Sequence, residues 1–255
     1  MDTGKQSAII HKQGPQSAIV GFIQAGGRSS RMNKDKAWLE IDGVTMIERA
    51  LAAARPVAGR LVIIVNAANP QIGRYEKLAG SCGAKLIFDL HEHLGPLGGI
   101  HTALAHCAEG ESALILACDL PFITTEFLSF IRDIHLGKNP QSSTSKGRNP
   151  QSITVPLDQS NRLQPLAAIY DQLLEATVAQ ALAANELKVD LLYSRVSTRR
   201  VHFAEFARLP DAESFFINVN TPEEYQSAIG RPRPPSAAIG RAWRKVNSIY
   251  RGSQD

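Results

Sequence analysis

Three observations predict an α/β fold with a mostly parallel, Rossmann-like sheet and helices on both of its faces. Short runs rich in β-branched residues are apolar almost throughout, the pattern of strands covered on both sides. Segments long enough for a crossover helix separate these runs, and alternating strand and helix argues for parallel strands joined by right-handed crossovers. Polar or glycine-rich residues follow the runs directly, at the strand ends where ligands bind in such sheets.

Residues 18–24 (AIVGFIQ), 61–66 (LVIIVN), 85–88 (KLIF) and 113–117 (ALILA) are the four strands of the first half. Residues 45–54, 70–79 and 98–108 supply the helices between them. In the second half, 153–156 and 163–170 read as strands, 173–184 as an alanine-rich helix, and 200–203 and 214–217 as further short strands. Thr221-Pro222-Glu223-Glu224 is a helix start. Thr221 suits the cap, Pro222 the first turn, and Glu224 the returning carboxylate of a capping box.

Three segments read as peripheral: a polar start over 1–17, a flexible Gly/Asn/Ser/Lys insertion over 137–150, and a basic, disordered tail over 231–255. About 200 residues remain, a single-domain size, and the domain is placed at 18–230 with the insertion inside it.

At 255 residues, 44% hydrophobic and 20% charged, the chain can bury a substantial core, which excludes disorder as the whole answer. No stretch approaches the ~18 consecutive apolar residues of a membrane span, and no basic-then-apolar leader opens the sequence. No membrane association is expected. Three cysteines, Cys82, Cys107 and Cys118, have neither zinc spacing nor an even count, so a reducing, cytoplasmic setting is expected. The net charge of +4 belongs to the tail, where Arg231, Arg233, Arg241, Arg244, Lys245 and Arg251 face Asp255 alone. The rest is slightly acidic, which makes nucleic acid an unlikely partner.

The first strand runs into Ala25-Gly26-Gly27-Arg28-Ser29-Ser30-Arg31-Met32-Asn33-Lys34-Asp35-Lys36. Adjacent glycines let backbone approach a phosphate or base edge, and several cations can neutralise a polyphosphate. The run matches neither the dinucleotide fingerprint nor the P-loop. An ordinary Gly-rich turn with solvated charges is the plain alternative. Asn66, Asp89 and Asp119 end or follow the next three strands, on one edge of the sheet. An Asp there can hold Mg²⁺ together with water and phosphate oxygens. Each could instead cap a helix or open a turn, and only their joint placement favours a site. Gly95-Pro96-Leu97-Gly98-Gly99-Ile100 precedes a helix whose first N–H groups could meet phosphate or substrate, or it is simply a Pro/Gly turn. His91, His93, His101 and His106 lack the Cys or carboxylate spacing that would complete a zinc or iron site. Ser29 and Ser30 lack a partner base, so serine catalysis is not expected.

Taken together, Ala25-Gly26-Gly27-x-Ser29-x-Arg31-Met32-x-x-Asp35-Lys36, Gly95-Pro96-Leu97-x-Gly99-Ile100, Cys118-Asp119-x-Pro121-Phe122, Gln164-Pro165-Leu166 and Asn218-x-Asn220-Thr221-Pro222-Glu223 resemble the molybdenum cofactor guanylyltransferases (MobA). The similarity covers about residues 18–229 and keeps the family's order. It implies a nucleotidyltransferase domain, with GTP and molybdopterin as substrates and Mg²⁺ as cofactor. GMP would be transferred to the molybdopterin phosphate and pyrophosphate released. A molybdoenzyme or another cofactor-biosynthesis protein is the partner class this implies.

Carried over by motif, Gln24, Ala25 and Gly26 would line the guanine and ribose pocket through backbone groups, with Gly27 and Arg31 beside them. Lys36 would contact phosphate and act catalytically with Asp119. Asn66 and Asp89 would hold nucleotide, and Asp119 would bind both nucleotide and metal. Gly95, Pro96, Gly98, Gln164, Asn218 and Asn220 would contact substrate. Gln24 stands where the family has leucine, and Asn33 where it has glycine. The alternatives at this point are a cytidylyltransferase or sugar-phosphate nucleotidyltransferase, and a non-catalytic nucleotide-binding regulator.

Overall fold

Strand β1 (Ile19–Gln24) is the centre of the sheet. Its side chains alternate: Ile19 and Ile23 enter one apolar cluster, Val20 and Phe22 the other. That is the two-sided burial its unbroken apolar sequence requires. The computed structural model describes residues 19–25, 35–91, 94–138 and 152–230. The N-terminal segment 1–17, most of the loop after β1, most of the insertion and the basic tail lie outside these.

In chain order there follow a hairpin of β2 (Glu40–Ile41) and β3 (Val44–Thr45), then α1 (Met46–Ala54), β4 (Arg60–Val65), α2 (Ile72–Cys82), β5 (Lys85–Phe88), α3 (Gly95–Ala105), β6 (Ser112–Ala117) and α4 (Thr125–His135). The second half adds β7 (Ser152–Pro156), β8 (Ala167–Asp171), α5 (Glu175–Ala183), α6 (Val189–Arg195), β9 (Ser197–Val201), α7 (Phe203–Phe206) and α8 (Pro222–Ile229). The main sheet has seven strands in the order β5-β4-β1-β6-β8-β7-β9. β1 pairs parallel with β4 and β6, β4 with β5, and β7 with β9, while β8 runs antiparallel to both its neighbours. Helices α1, α2 and α4 cover one face, and α3, α5 and α6 the other.

The chain leaves β1 toward β4 on one side and later returns to place β6 on the other. The connections therefore diverge between β1 and β6, and the carboxyl ends of these two strands bound the crevice where such sheets bind ligands. Gly21 sets how closely this centre packs: a Cβ there would lie 2.6 Å from Leu61 Cδ2 and 3.1 Å from Ala58 Cβ.

Local signals explain most boundaries. Thr45 and Thr221 each close a capping box, with Glu48 and Glu224 respectively. Thr124 caps α4 by accepting from Phe127 N at 3.3 Å. Gly137 (φ 66°) ends that helix, with Gly137 N bonding Ile134 O and Lys138 N bonding Asp133 O, the paired bonds of a Schellman motif. Asp42 and Gly43, with φ of 54° and 72°, make the tight turn between β2 and β3 that Asp-Gly favours. At the edge opposite the crevice, buried Asp171 accepts from Ser112 Oγ at 2.9 Å and from Ser152 Oγ at 2.8 Å, and His135 bridges Thr154 and Ser112. This network ties α4, β6, β7 and β8 together.

The second half departs from expectation in three places. The strand expected over 163–170 begins only at Ala167, and Leu163 makes a single bridge with Leu157. The strand expected over 200–203 is β9, and Phe203 already starts α7. No strand forms over 214–217. Residues Ala212–Ser214 make a 3-10 turn, because both adjacent rings, Phe215 and Phe216, pack on Phe127 (centroids 4.9 and 5.5 Å). A strand would send them to opposite faces.

Candidate functional site

Lys36 opens a 3-10 turn (Lys36–Trp38) capped by Asp35, whose Oδ1 accepts from Ala37 N at 3.2 Å. Asp35 does not pair with Lys36. Its Oδ2 accepts from Tyr75 hydroxyl at 2.7 Å and from Asn69 Nδ2 at 3.0 Å, which fixes the end of the glycine-rich loop against α2. Burial, with Asp35 negative beside it, pushes the Tyr75 phenol well up, so it stays a donor. Trp38 packs tilted on Tyr75 at 4.8 Å, with the Arg74 guanidinium 3.9 Å above the indole.

Thus held, Lys36 extends Nζ to Asp119 Oδ2 at 3.0 Å and to Asn220 Oδ1 at 2.6 Å. Asp119 comes from the turn after β6 and Asn220 from the approach to α8. The main chain seals this meeting, since Val219 N donates to Asp119 O at 3.1 Å. Asn220 N and Thr221 N both donate to Glu224 Oε2, at 2.6 and 3.1 Å. Ile41, Met46, Val219 and Ala228 form a small buried cluster, and Tyr225 hydroxyl reaches Glu40 O at 2.6 Å, so the β2–β3 hairpin docks the Lys36 segment on α8. An ammonium has three N–H donors, and two are engaged here. The third, with Asp119 Oδ1 and Asn220 Nδ2, makes no hydrogen bond to a described residue.

At the neighbouring end of β1, the Gln24 carbonyl accepts from Cys118 N at 3.0 Å. Ala25 N donates to Ile64 O at 2.9 Å, and Ala25 O accepts from Tyr75 hydroxyl at 3.3 Å. These backbone groups belong to the sheet and its rim. The Gln24 side chain lies directly on α3: a Cβ on Gly99 would sit 1.6 Å from its Nε2. Glycine at 99 lets the Gln24 amide lie in this place; a side chain there would turn it aside.

Asp89 follows β5, with its amide held by Val65 O. Its Oδ1 accepts from Thr102 hydroxyl at 2.6 Å and from His91 N at 3.2 Å. Asn66 turns on itself, Oδ1 accepting from Ala68 N at 2.7 Å. Gly95 (φ 65°) and Pro96 start α3, and a Cβ on Gly98 would meet His91 Cβ at 3.1 Å. Gln164 lies apart from the Lys36 centre, its Nε2 on Asp158 Oδ2 at 3.2 Å. A cavity of about 140 Å³ lies there, lined among others by Asp158, Arg162, Phe203 and Phe216. Asn218 stands two residues before Asn220 without joining its bonds. Gly26, Gly27 and Arg31, with His93, lie outside the described residues. Of the remaining histidines near α3, His91 bonds His101, and His106 Nδ1 bonds Thr102 O.

The model of the MobA-like NTP transferase domain matches residues 21–198. A probable molybdenum cofactor guanylyltransferase of Pelotomaculum thermopropionicum is 32% identical over 88% of this chain and 97% of its own length. The chain belongs to the molybdenum cofactor guanylyltransferase family. Another member, from Flavobacterium johnsoniae, is 32% identical over 81% of this chain and 94% of its own. The crystal structure of molybdopterin-guanine dinucleotide biosynthesis protein A from Archaeoglobus fulgidus shares the fold, with a TM-score of 0.62 and 22% identity over 82% of this chain and 96% of its own. This guanylyltransferase is accordingly a nucleotidyltransferase enzyme, and Lys36, Asp119 and Asn220, dispersed in sequence, meet at one edge of the sheet. Sequence reasoning missed Asp35, Tyr75 and Asn69 as the supports of Lys36. The hairpin that docks this segment was legible in Asp42-Gly43.

Proposed function

We propose that the chain transfers GMP from GTP to the phosphate of molybdopterin and releases pyrophosphate, with Mg²⁺ held at Asp119. The observation that carries this reading is Lys36 Nζ suspended between Asp119 and Asn220 at the mouth of the β1–β6 crevice. One carboxylate with an open oxygen suits Mg²⁺, which is bound through one or two carboxylates with water and phosphate oxygens completing its octahedron. When bound there, the ion would supply charge neutralisation to the α-phosphate.

The chain's own residues do the rest by positioning. Asn220 and Asp119 orient the Lys36 ammonium so that its third N–H can meet a phosphate oxygen. Asp89, with Oδ2 uncommitted among the described residues, is the nucleotide contact from β5. The first turn of α3 presents backbone N–H groups toward the same edge. Attack by a phosphate monoester, largely dianionic above its second pKa of about 6, needs no general base. The Asp158–Phe216 cavity is the candidate seat for part of the acceptor, since residues 217–219 connect it to Asn220. Free Cys82, Cys107 and Cys118 accord with work in the cytoplasm. No helix among the described residues is long and apolar enough to cross a membrane.

Pyrophosphate release with GTP or CTP, with and without molybdopterin, tests the reading. Release that requires GTP, acceptor and Mg²⁺ together is expected. Equal or better use of CTP would overturn the guanylyl assignment.

A further inference from the structure

Three ionisable side chains from the turn after β5, from α3 and from α5 form a continuous hydrogen-bonded chain. His91, in the turn after β5, meets His101 of α3 with Nε2 and Nδ1 2.7 Å apart. The other nitrogen of His101 lies 3.1 Å from Glu175 Oε1, at the start of α5. A carboxylate accepts only, so His101 must carry its proton on Nε2. In the neutral ring Nδ1 is then the acceptor, and His91 must donate from Nε2. Each ring's orientation is thereby set by the next group, beginning from Glu175.

The ring chain ends at His91, and it is the main chain of His91, not its ring, that meets Asp89. His91 N donates to Asp89 Oδ1 at 3.2 Å, and Thr102, adjacent to His101, donates its hydroxyl to the same oxygen at 2.6 Å. Thr102 Oγ1 also accepts from Leu90 N at 3.0 Å. Every residue from 89 to 91 is thus fastened to α3, and through His101 to α5. Gly98 makes the approach possible, because any side chain there would crowd His91 Cβ. With Oδ1 taken, Asp89 has only Oδ2 to offer a ligand, in a direction that the turn dictates.

We propose that His91, His101 and Glu175 are positioning residues for nucleotide binding, holding the Asp89 carboxylate in its ligand-facing orientation through a directional His–His–Glu chain. This rests on the reading of Asp89 as a nucleotide contact. The chain acts before chemistry, on how well the nucleotide is held, so its loss raises KM for GTP and leaves kcat nearly unchanged.

Steady-state pyrophosphate release on the full chain tests this, with folding checked by thermal melting. His101→Ala is expected to raise KM for GTP roughly threefold to tenfold, the worth of one or two hydrogen bonds, with kcat within about twofold. Glu175→Ala should move KM in the same direction, whereas Glu175→Gln, which keeps an acceptor oxygen, should restore it. Were His101→Ala not to fold, the Glu175 pair gives the same comparison, since that carboxylate is 35% exposed. In the unaltered, ¹⁵N-labelled protein, an N–N coupling across the His91–His101 hydrogen bond should be visible by NMR. Absence of that coupling, or a folded His101→Ala protein with unchanged KM while Asp89→Ala raises it, overturns the positioning chain alone. Unchanged KM in Asp89→Ala overturns the nucleotide reading of Asp89, and this proposal with it.

Discussion

Replacing Asp119 by Asn removes one negative charge from the crevice and changes almost nothing else in shape. The new amide keeps a carbonyl oxygen for Lys36 Nζ, and the main-chain oxygen still accepts from Val219 N. At 3.0 Å the Lys36–Asp119 attraction is roughly 5 kcal/mol gross for an effective dielectric near 20. The two side chains are 15% and 23% exposed. Solvent and the ordering of a long lysine reduce the net contribution to stability to about 1 kcal/mol or less. On the proposed reading catalysis is affected far more, since an acceptor amide would not substitute for Asp119 as the anionic ligand of Mg²⁺ at the α-phosphate. A loss of about 3 kcal/mol in the barrier corresponds to roughly a hundredfold or more in kcat. Urea unfolding and pyrophosphate release over a Mg²⁺ series measure the two quantities on the same preparations. Near-normal kcat at saturating Mg²⁺ would refute the assignment, and a stability loss of several kcal/mol would show that the pair is structural instead.

Gly99→Ala should cost less than about 1 kcal/mol, because its methyl meets only the far end of the flexible Gln24 side chain, which can turn aside. A loss above about 2 kcal/mol by urea unfolding, unrelieved when combined with Gln24→Ala, would contradict this. Burial raises the Asp158 carboxyl, but bonds from the amide and side chain of Arg162 and the amide of Ser160 outweigh it and leave the pKa lowered. The stabilisation from Asp158 is therefore present above its unfolded pKa of about 4 and lost as pH falls through the lower folded value. Asp158→Asn should accordingly flatten the stability–pH curve below about pH 4, as read from unfolding midpoints. Burial pushes the Cys107 thiol up to about 12 and raises Cys82 and Cys118 as well. None of the three should be alkylated by iodoacetamide at pH 8 in the folded protein, and all three should react in urea, as mass spectrometry can count.

Strands β1, β4 and β6 were legible in the sequence because a parallel sheet covered on both faces leaves no alternation to obscure them, and the edge strand β5, with Lys85 and Phe88 exposed, was legible from its short apolar run alone. The α8 start was legible because a capping box is written within four residues. The same reasoning missed α4, whose signature was present in Thr124 before Phe127, Leu128, Ile131 and Ile134. It also read residues 214–217 as a strand, since apolar content alone does not say that Phe215 and Phe216 share one aromatic cluster. The sequence by itself determined which residue types stand at the strand ends, and hence the chemistry offered to a nucleotide. Only the tertiary structure decided which of them meet. Lys36 is drawn to Asn220 across 184 positions, Asp35 turns to Tyr75 instead of its neighbour Lys36, and His91 meets His101, which in turn meets Glu175. Such pairings depend on how helices cross the sheet and on where a missing Cβ permits close approach. Those distances are set by packing the whole core at once, and no local window contains them.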